Sequence, residues 1–319
     1  MDGESRLLAD STLGMDVQGV SPVVDAQSII AEDAREGNDL ARLHQDLIRD
    51  LEPVGALENI VVTGLARAEL TVAAAVTAVN TGDDTSALAA GQRLAPLLAG
   101  ISDPFLHAVS KLVLAWTLPI TGDFDEALQE VTAALEELRG QDEPVYTAIA
   151  AFTAASLDTA LGRYDDALGH LRESRDLTER AGGDWLTASS RATQGILDAL
   201  RGRPDEARAP LDEALELSLA ARNIPFVALC LTGYAQLALA DGDPERAARL
   251  EGAAEGLRRR AGLRAWPLTR RVEAELVDQV RDRLGAGRFE QAFSAGSALT
   301  QRQVVAIVRD QRGTGTQTS

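Results

Sequence analysis

Residues 121–127 read Thr-Gly-Asp-Phe-Asp-Glu-Ala, and variants of this seven-residue phrase begin at residues 81, 161, 201 and 241. The five copies follow one another every 40 residues. They share one column of glycines and one of alanines: Gly82, Gly122, Gly162, Gly202 and Gly242, then Ala87, Ala127, Ala167, Ala207 and Ala247. A fixed period of this length is typical of a repeat architecture.

Two further columns of small residues precede each glycine, and they are seven residues apart: Ala68, Ala108, Ala148, Ala188 and Ala228, then Ala75, Ala115, Ala155, Gly195 and Ala235. Seven residues make about two helical turns, so both columns lie on one face of a first helix. Small residues on that face let a second helix, which carries the Ala87 column, pack at close range. Glycine ends the first helix in the left-handed conformation, and the Asp or Pro after it suits a turn and a helix start. Each repeat is therefore predicted to be a helical hairpin.

A single hairpin cannot bury its apolar face, whereas stacked hairpins bury it for one another. The sequence thus predicts an all-α solenoid of five to six antiparallel hairpins, a superhelix with a concave side. We place the superhelix at 57–312, with these repeats inside it: near 68–104, 108–144, 148–184, 188–225 and 228–264, and a capping repeat at 268–309.

The two ends of the chain depart from the repeat. In the capping repeat the phrase returns as Gly287-Arg-Phe-Glu-Gln-Ala292, 45 residues after Gly242. Thr300 followed by Gln303 resembles a capping box for a last helix. We expect residues 1–24 and 313–319 to be disordered. Residues 25–56 carry a helical pattern outside the repeat register, with no assigned role.

Composition narrows the function. A net charge of −18, from 31 basic and 49 acidic residues, works against binding to nucleic acid or an anionic membrane. The single cysteine, Cys230, is expected to be a small buried residue. A chain that cannot form an internal disulfide, with no signal sequence and no membrane-spanning stretch, is expected to be cytoplasmic.

The phrase Gly-Asp-Phe-Asp-Glu-Ala, with small residues where helices cross, resembles the tetratricopeptide repeat in a long form of about 40 residues. The stretch 242–267, together with 284–293, resembles the C-terminal helical region of large actinobacterial regulators: signalling ATPases of the LuxR type, of the antibiotic-regulatory type, or linked to a nucleotide cyclase. The resemblance covers roughly residues 81–312. It implies a sensor or partner-binding arm, and the nucleotide-binding, DNA-binding and cyclase domains of that family are not in this sequence.

No pattern points to catalysis, to a cofactor or to a metal. Lys111, the only lysine, has no glycine-rich phosphate loop around it. The three histidines, His44, His107 and His170, lack partners at zinc-ligand spacing. The acidic pairs such as Asp125-Glu126 recur where second helices begin, and there they complement the helix dipole. We therefore predict a protein that is not an enzyme.

Candidate binding residues come from the inward positions of the first helices, which are mostly apolar and suit an amphipathic helix or a hydrophobic segment. Trp116 and Phe152, from adjacent repeats, form either an aromatic anchor site or ordinary packing between repeats. Arg258, Arg259 and Arg260 concentrate positive charge, either to dock an acidic partner or a nucleotide phosphate, or as a solvated helix end. The remaining candidates are Arg191 and Gln236.

The sequence thus predicts a scaffold that binds a protein, a peptide or a sensed ligand. The predicted partners include an NTPase or regulator subunit. The alternative is a fragment of an ATP-dependent transcription regulator that acts with a separately encoded NTPase or DNA-binding part. A transcription regulator acting alone would need a basic DNA-reading helix, and the only segment left for it, 26–52, is acidic. The sequence leaves the oligomeric state and the partner's identity open.

Overall fold

The computed structural model describes residues 64–181 and 184–309. The expectations for 1–24, 25–56 and 313–319 lie outside these residues. The helices in chain order are α1 Gly64–Thr81, α2 Asp84–Leu94, α3 Pro104–Thr117, α4 Phe124–Arg139, α5 Pro144–Ala160, α6 Tyr164–Ala181, α7 Asp184–Leu200, α8 Pro204–Ala220, α9 Ile224–Ala240, α10 Pro244–Arg260, α11 Arg270–Leu284, α12 Ala286–Ser297 and α13 Gln301–Arg309. Short 3₁₀ turns cover Ala95–Gly100 and Leu118–Ile120.

Helices α1 to α10 form five antiparallel hairpins, and each first helix also packs on the first helix of the next hairpin. No strand occurs in the described part of the chain. The predicted all-α, tetratricopeptide-like solenoid is therefore confirmed, with the hairpin turns where the glycine column lies.

The hairpin turns depend on left-handed backbone at the glycine column. All five glycines have positive φ, between 73° and 93°. This conformation turns the next backbone N–H back onto the ending helix, where it donates to a carbonyl five residues earlier. In the third turn Arg163 N donates to Asp158 O at 2.8 Å, and the other four turns repeat this bond. Only glycine adopts this backbone without a steric penalty.

The small-residue columns lie where the two helices of a hairpin cross. The alanines of the second helices, such as Ala207, are fully buried. Gly195, the glycine in a first-helix column, shows how little space remains: a Cβ there would lie 2.4 Å from Leu211 Cγ and 3.0 Å from Ala207 O. The first helix can lie this close to the second because Gly195 has no side chain and Ala207 has only a methyl group.

The C-terminal cap differs from the expected sixth hairpin. The left-handed glycine is Gly285, with φ 76°, whereas Gly287 lies inside α12. Helix α12 packs mainly against α10 rather than against α11. The reason is a backbone-to-backbone contact: a Cβ on Gly252 would lie 2.0 Å from Phe293 O, and one on Gly296 would lie 1.9 Å from Arg249 O. The predicted capping box of Thr300 and Gln303 is present, with backbone N–H groups donating at 2.9 and 3.4 Å.

We predict that Gly252→Ala destabilises the protein, because its methyl group must push α12 away from α10. Overpacking of this kind typically costs about 1–3 kcal/mol. The matched control is Gly169→Ala, at an exposed position inside α6 where an added Cβ meets nothing within 4 Å. That change should stabilise by about 1 kcal/mol, since glycine is a poor helix former. Urea midpoints followed by circular dichroism would measure both, and equal midpoints for the two variants would contradict the close α10–α12 contact.

Candidate functional site

The chain after α10 returns to the beginning of the superhelix. Arg264 and Arg270 both reach Asp84, at the start of α2: Arg264 Nη1 lies 3.3 Å from its carboxylate, and Arg270 holds both oxygens at 2.8 and 2.9 Å. The chain also approaches Gly82 closely here: a Cβ on Gly82 would lie 2.9 Å from Arg264 Cβ. The first hairpin is thus joined to the chain that follows the fifth hairpin, by residues about 180 positions apart in sequence.

Between these two arginines, Trp266 inserts among the aromatic residues of the second and third hairpins. Its ring stacks on Phe152, with centroids 6.0 Å apart and planes 9° from parallel, and it lies 5.8 Å from the ring of Trp116. The indole N–H of Trp116 donates to Thr153 Oγ1 at 3.0 Å. Trp116 and Phe152 therefore do meet at one place, and a residue from the far end of the chain covers them.

We call residues 263–273 the groove segment, because they fill the concave side of the superhelix. Leu268, Thr269 and Val272 face the first helices α5, α7 and α9 across a cavity of about 20 Å³, enough for one water molecule. The inward positions predicted to line an open groove are all buried: Val72, Val76, Leu112, Trp116, Phe152, Ser156, Ala192, Ile196, Thr232 and Gln236. Among the described residues, Leu70 is the only large hydrophobic side chain that is exposed. The protein's own chain therefore lies against inward positions of the second to fifth hairpins.

A buried charge cluster fixes the other end of the groove segment. Arg258, on α10, pairs with Glu273 at 2.8 Å, and Thr269 Oγ1 donates to the same carboxylate at 2.9 Å. Glu251 is also buried, one of its oxygens has no hydrogen-bond partner, and Arg258 is already engaged by Glu273. Burial, and then the charge of Glu273, raise the pKa of Glu251 to about 8. Burial and the charge of Glu273 thus favour the neutral form of Glu251, while Arg258 and Glu273 form an ion pair.

The other two arginines of the predicted basic cluster hold the cap. Arg259 Nη2 donates to Ser297 Oγ at 2.7 Å, and Arg260 donates to the carbonyl oxygens of Ser297 and Leu299 at 2.9 and 2.6 Å. These carbonyls lie at the C-terminal end of α12, where a cation is favoured by the helix dipole. Arg259 and Arg260 are exposed at the end of α10 and hold the cap, whereas Arg258 is buried in a separate charge cluster.

The remaining candidates lie apart. Arg191 forms an ion pair with Glu213 at 2.9 Å, within the fourth hairpin, and Gln236 is buried in α9. These distances assign both residues to packing within and between hairpins in this structure. The role of either in partner binding stays a prediction.

The side chains that could serve catalysis or metal binding are paired with other residues or buried. Lys111 and His107 both contact the carboxylate of Glu137, at 2.7 and 2.8 Å. His170 contacts Asp158 at 2.9 Å. Cys230 is fully buried, and burial raises the pKa of its thiol to about 12. His44 lies outside the described residues. In 64–181 and 184–309, no three metal-ligating side chains are grouped, and no helix is long and apolar enough to cross a membrane.

Sequence reasoning missed the groove segment itself. In sequence, Trp266 is only the one aromatic residue among the arginines of 258–271, and its contact with Phe152 joins positions over a hundred residues apart. The repeat period could have provided a signal, since it slips after Pro267 and the groove segment lies across that point. A break in period does not say where the chain goes.

The fold and groove define a class: a tetratricopeptide-like helical solenoid whose concave side is occupied by its own chain. The tetratricopeptide repeat family profile matches residues 146–220. Among solved structures, the chain resembles the crystal structure of a Rap protein complexed with competence and sporulation factor, with a TM-score of 0.57 and 16% sequence identity. The match covers 89% of this chain and 73% of that one, and at this identity it is a likeness of fold. No curated protein matches the chain.

We predict a pH-dependent stability that comes from Glu251. Its pKa is near 4.5 in the unfolded chain and about 8 in the folded protein. The folded state therefore binds an extra proton between these values, so this contribution to stability is full below pH 4.5 and is lost as pH rises towards 8. Glu251→Gln keeps the neutral form at every pH. Its stability relative to the parent should rise between pH 5 and 8, by at most about 1.4 kcal/mol per pH unit.

The control is Glu255→Gln, since Glu255 is half-exposed and lies 3.7 Å from the same Arg258. Urea midpoints at pH 5, 6, 7 and 8 would be compared for the three proteins. A stability difference between Glu251→Gln and the parent that stays the same from pH 5 to pH 8 would show that Glu251 is ionised when buried.

Proposed function

We propose that this protein is a non-catalytic scaffold that binds a protein or peptide segment in its concave groove, where the partner takes the place of the groove segment. The observation that carries the proposal is the burial of Trp116 and Phe152 beneath Trp266. Among the described residues Leu70 is the only exposed large hydrophobic side chain, and the groove residues are buried, so we infer that the groove opens before a partner binds in it.

The groove segment indicates the chemistry of that partner. It presents one large aromatic residue, Trp266, between two arginines that both pair with Asp84. A competing segment needs the same two features, an aromatic or bulky apolar anchor and basic residues beside it. The net charge of −18 favours the approach of such a basic segment. The Rap protein of similar fold was solved with competence and sporulation factor bound, which supports a ligand-binding role for this architecture.

The kind of regulator to which the scaffold belongs is proposed from the sequence resemblance. We propose that the solenoid is the regulatory arm of a LuxR-type signalling ATPase or transcriptional regulator, or is derived from one. It would act in the cytoplasm on a regulator subunit or NTPase, without direct binding to nucleic acid. The stretch 242–267 supports this, and the acidic charge agrees with it.

The test opens the groove without removing any chain. Trp266→Ala deletes the anchor, so the tethered segment competes less well for its own site. The probe is a labelled synthetic peptide of residues 262–273, with binding followed by fluorescence anisotropy. The apparent affinity of a site depends on the fraction of molecules in which it is open. We expect the variant to bind the peptide at least about tenfold more tightly than the parent.

Trp185→Ala is the matched control, because Trp185 stacks on Phe226 at 6.3 Å, away from the groove segment. It removes an equally large ring and should leave peptide binding as weak as in the parent. Equal peptide binding by Trp266→Ala and Trp185→Ala, with both variants folded by circular dichroism, would contradict a groove that opens for a partner.

A further inference from the structure

A second cavity, of about 240 Å³, lies between the third and fourth hairpins, lined by residues of α6, α7 and the start of α8. It shares no lining residue with the groove cavity. Four arginines face it, Arg172, Arg175, Arg201 and Arg203, against the carboxylates of Asp198 and Glu206. The volume suits a small metabolite, being below the range of drug-sized pockets.

The repeat period shows that this cavity is specific to one junction. Arg175 occupies a column in which the hairpins on either side carry leucine, Leu135 and Leu215, and each of these is 1% exposed. Leucine at this position therefore fills the space between hairpins. Where arginine replaces it, a polar cavity is left in the same place.

A second column changes at the same junction. In the third hairpin the buried Asp158 is paired with His170, at 2.9 Å. Forty residues later, Asp198 is equally buried, but the position of His170 holds Pro210, which offers no hydrogen-bonding side chain. Asp198 lines the cavity instead. Burial, together with the nearby charge of Glu206, raises its pKa.

The arginines differ in how far they are already engaged. Arg201 pairs with Asp165 at 3.1 Å and Arg203 with Glu206 at 3.2 Å, both at the cavity rim. For Arg172 and Arg175, on α6, there is no ion pair or hydrogen bond to another described residue. Guanidinium groups with free donors bind the oxygens of phosphate and carboxylate groups well.

From these observations we propose that the cavity binds a small hydroxylated oxyanion, such as a sugar phosphate or a hydroxy acid. Arg172 and Arg175 bind the oxyanion, and the carboxyl group of Asp198 hydrogen-bonds a ligand hydroxyl. Binding at this junction would be the ligand-sensing part of the scaffold. Because the site is separate from the groove, it can be tested independently of the proposed peptide binding.

The experiment uses the full chain and Arg175→Leu, which restores the residue of the neighbouring hairpins. Three probes distinguish the sources of the oxyanion: inorganic phosphate, ribose 5-phosphate and citrate, each titrated by calorimetry. We expect at least one hydroxylated probe to bind the parent more tightly than inorganic phosphate does. Arg175→Leu should weaken that binding at least about tenfold while the thermal midpoint without ligand stays the same or rises, because leucine fills the space.

Two further variants complete the test. Arg93→Leu removes one positive charge from an exposed position on α2 and should bind like the parent. Asp198→Asn should weaken binding of the hydroxylated probe and leave binding of inorganic phosphate unchanged. The proposal is overturned if no probe binds the parent at millimolar concentration, if Arg175→Leu binds as the parent does, or if Arg93→Leu loses as much affinity as Arg175→Leu.

Discussion

The close crossing of two helices within each hairpin is the constraint on which the rest of the structure depends. Alanine or glycine at the crossing lets the backbones approach, and a left-handed glycine turns the chain tightly enough to bring them together. Because every hairpin has the same crossing, the hairpins stack in a regular register, and their first helices line one concave side. The groove and the junction cavity are both consequences of that register.

The regular part of this fold could be read from the sequence because its determinants are local and periodic. Gly82 and its equivalents must have positive φ for a reason that concerns only their own turn, and Ala207 must be small for a reason that concerns only its own hairpin. The groove segment has no such local signal. Asp84 pairs with Arg270 across 186 positions, and neither residue differs in type from the many other charged residues of the chain.

The junction cavity lies between these two cases. The sequence does contain a signal for it, but that signal is a departure from the repeat and not a part of it. Columns that stay constant define the repeat, whereas Arg175 is informative because it departs from the leucines before and after it. A departure in one column can be accidental. Here Pro210 also replaces His170 in a second column, and only the structure shows that Asp198, which thereby lacks the histidine, lines the same cavity as Arg175.

The groove segment is held unequally at its two ends, and this sets how it can move. At its start, Arg264 is mostly exposed, so water can replace its ion pair with Asp84 at little cost. Nearer its end, Arg270 holds both oxygens of the same carboxylate and is about three-quarters buried. At its end, Arg258 and Glu273 are both buried, and separating them leaves charges away from water, which is strongly unfavourable. We therefore expect any opening to begin at Arg264, with Arg270 and Glu273 held in place. Trp266 is two residues from Arg264, so we expect such an opening to make Trp116 and Phe152 the first groove residues that an incoming segment can reach.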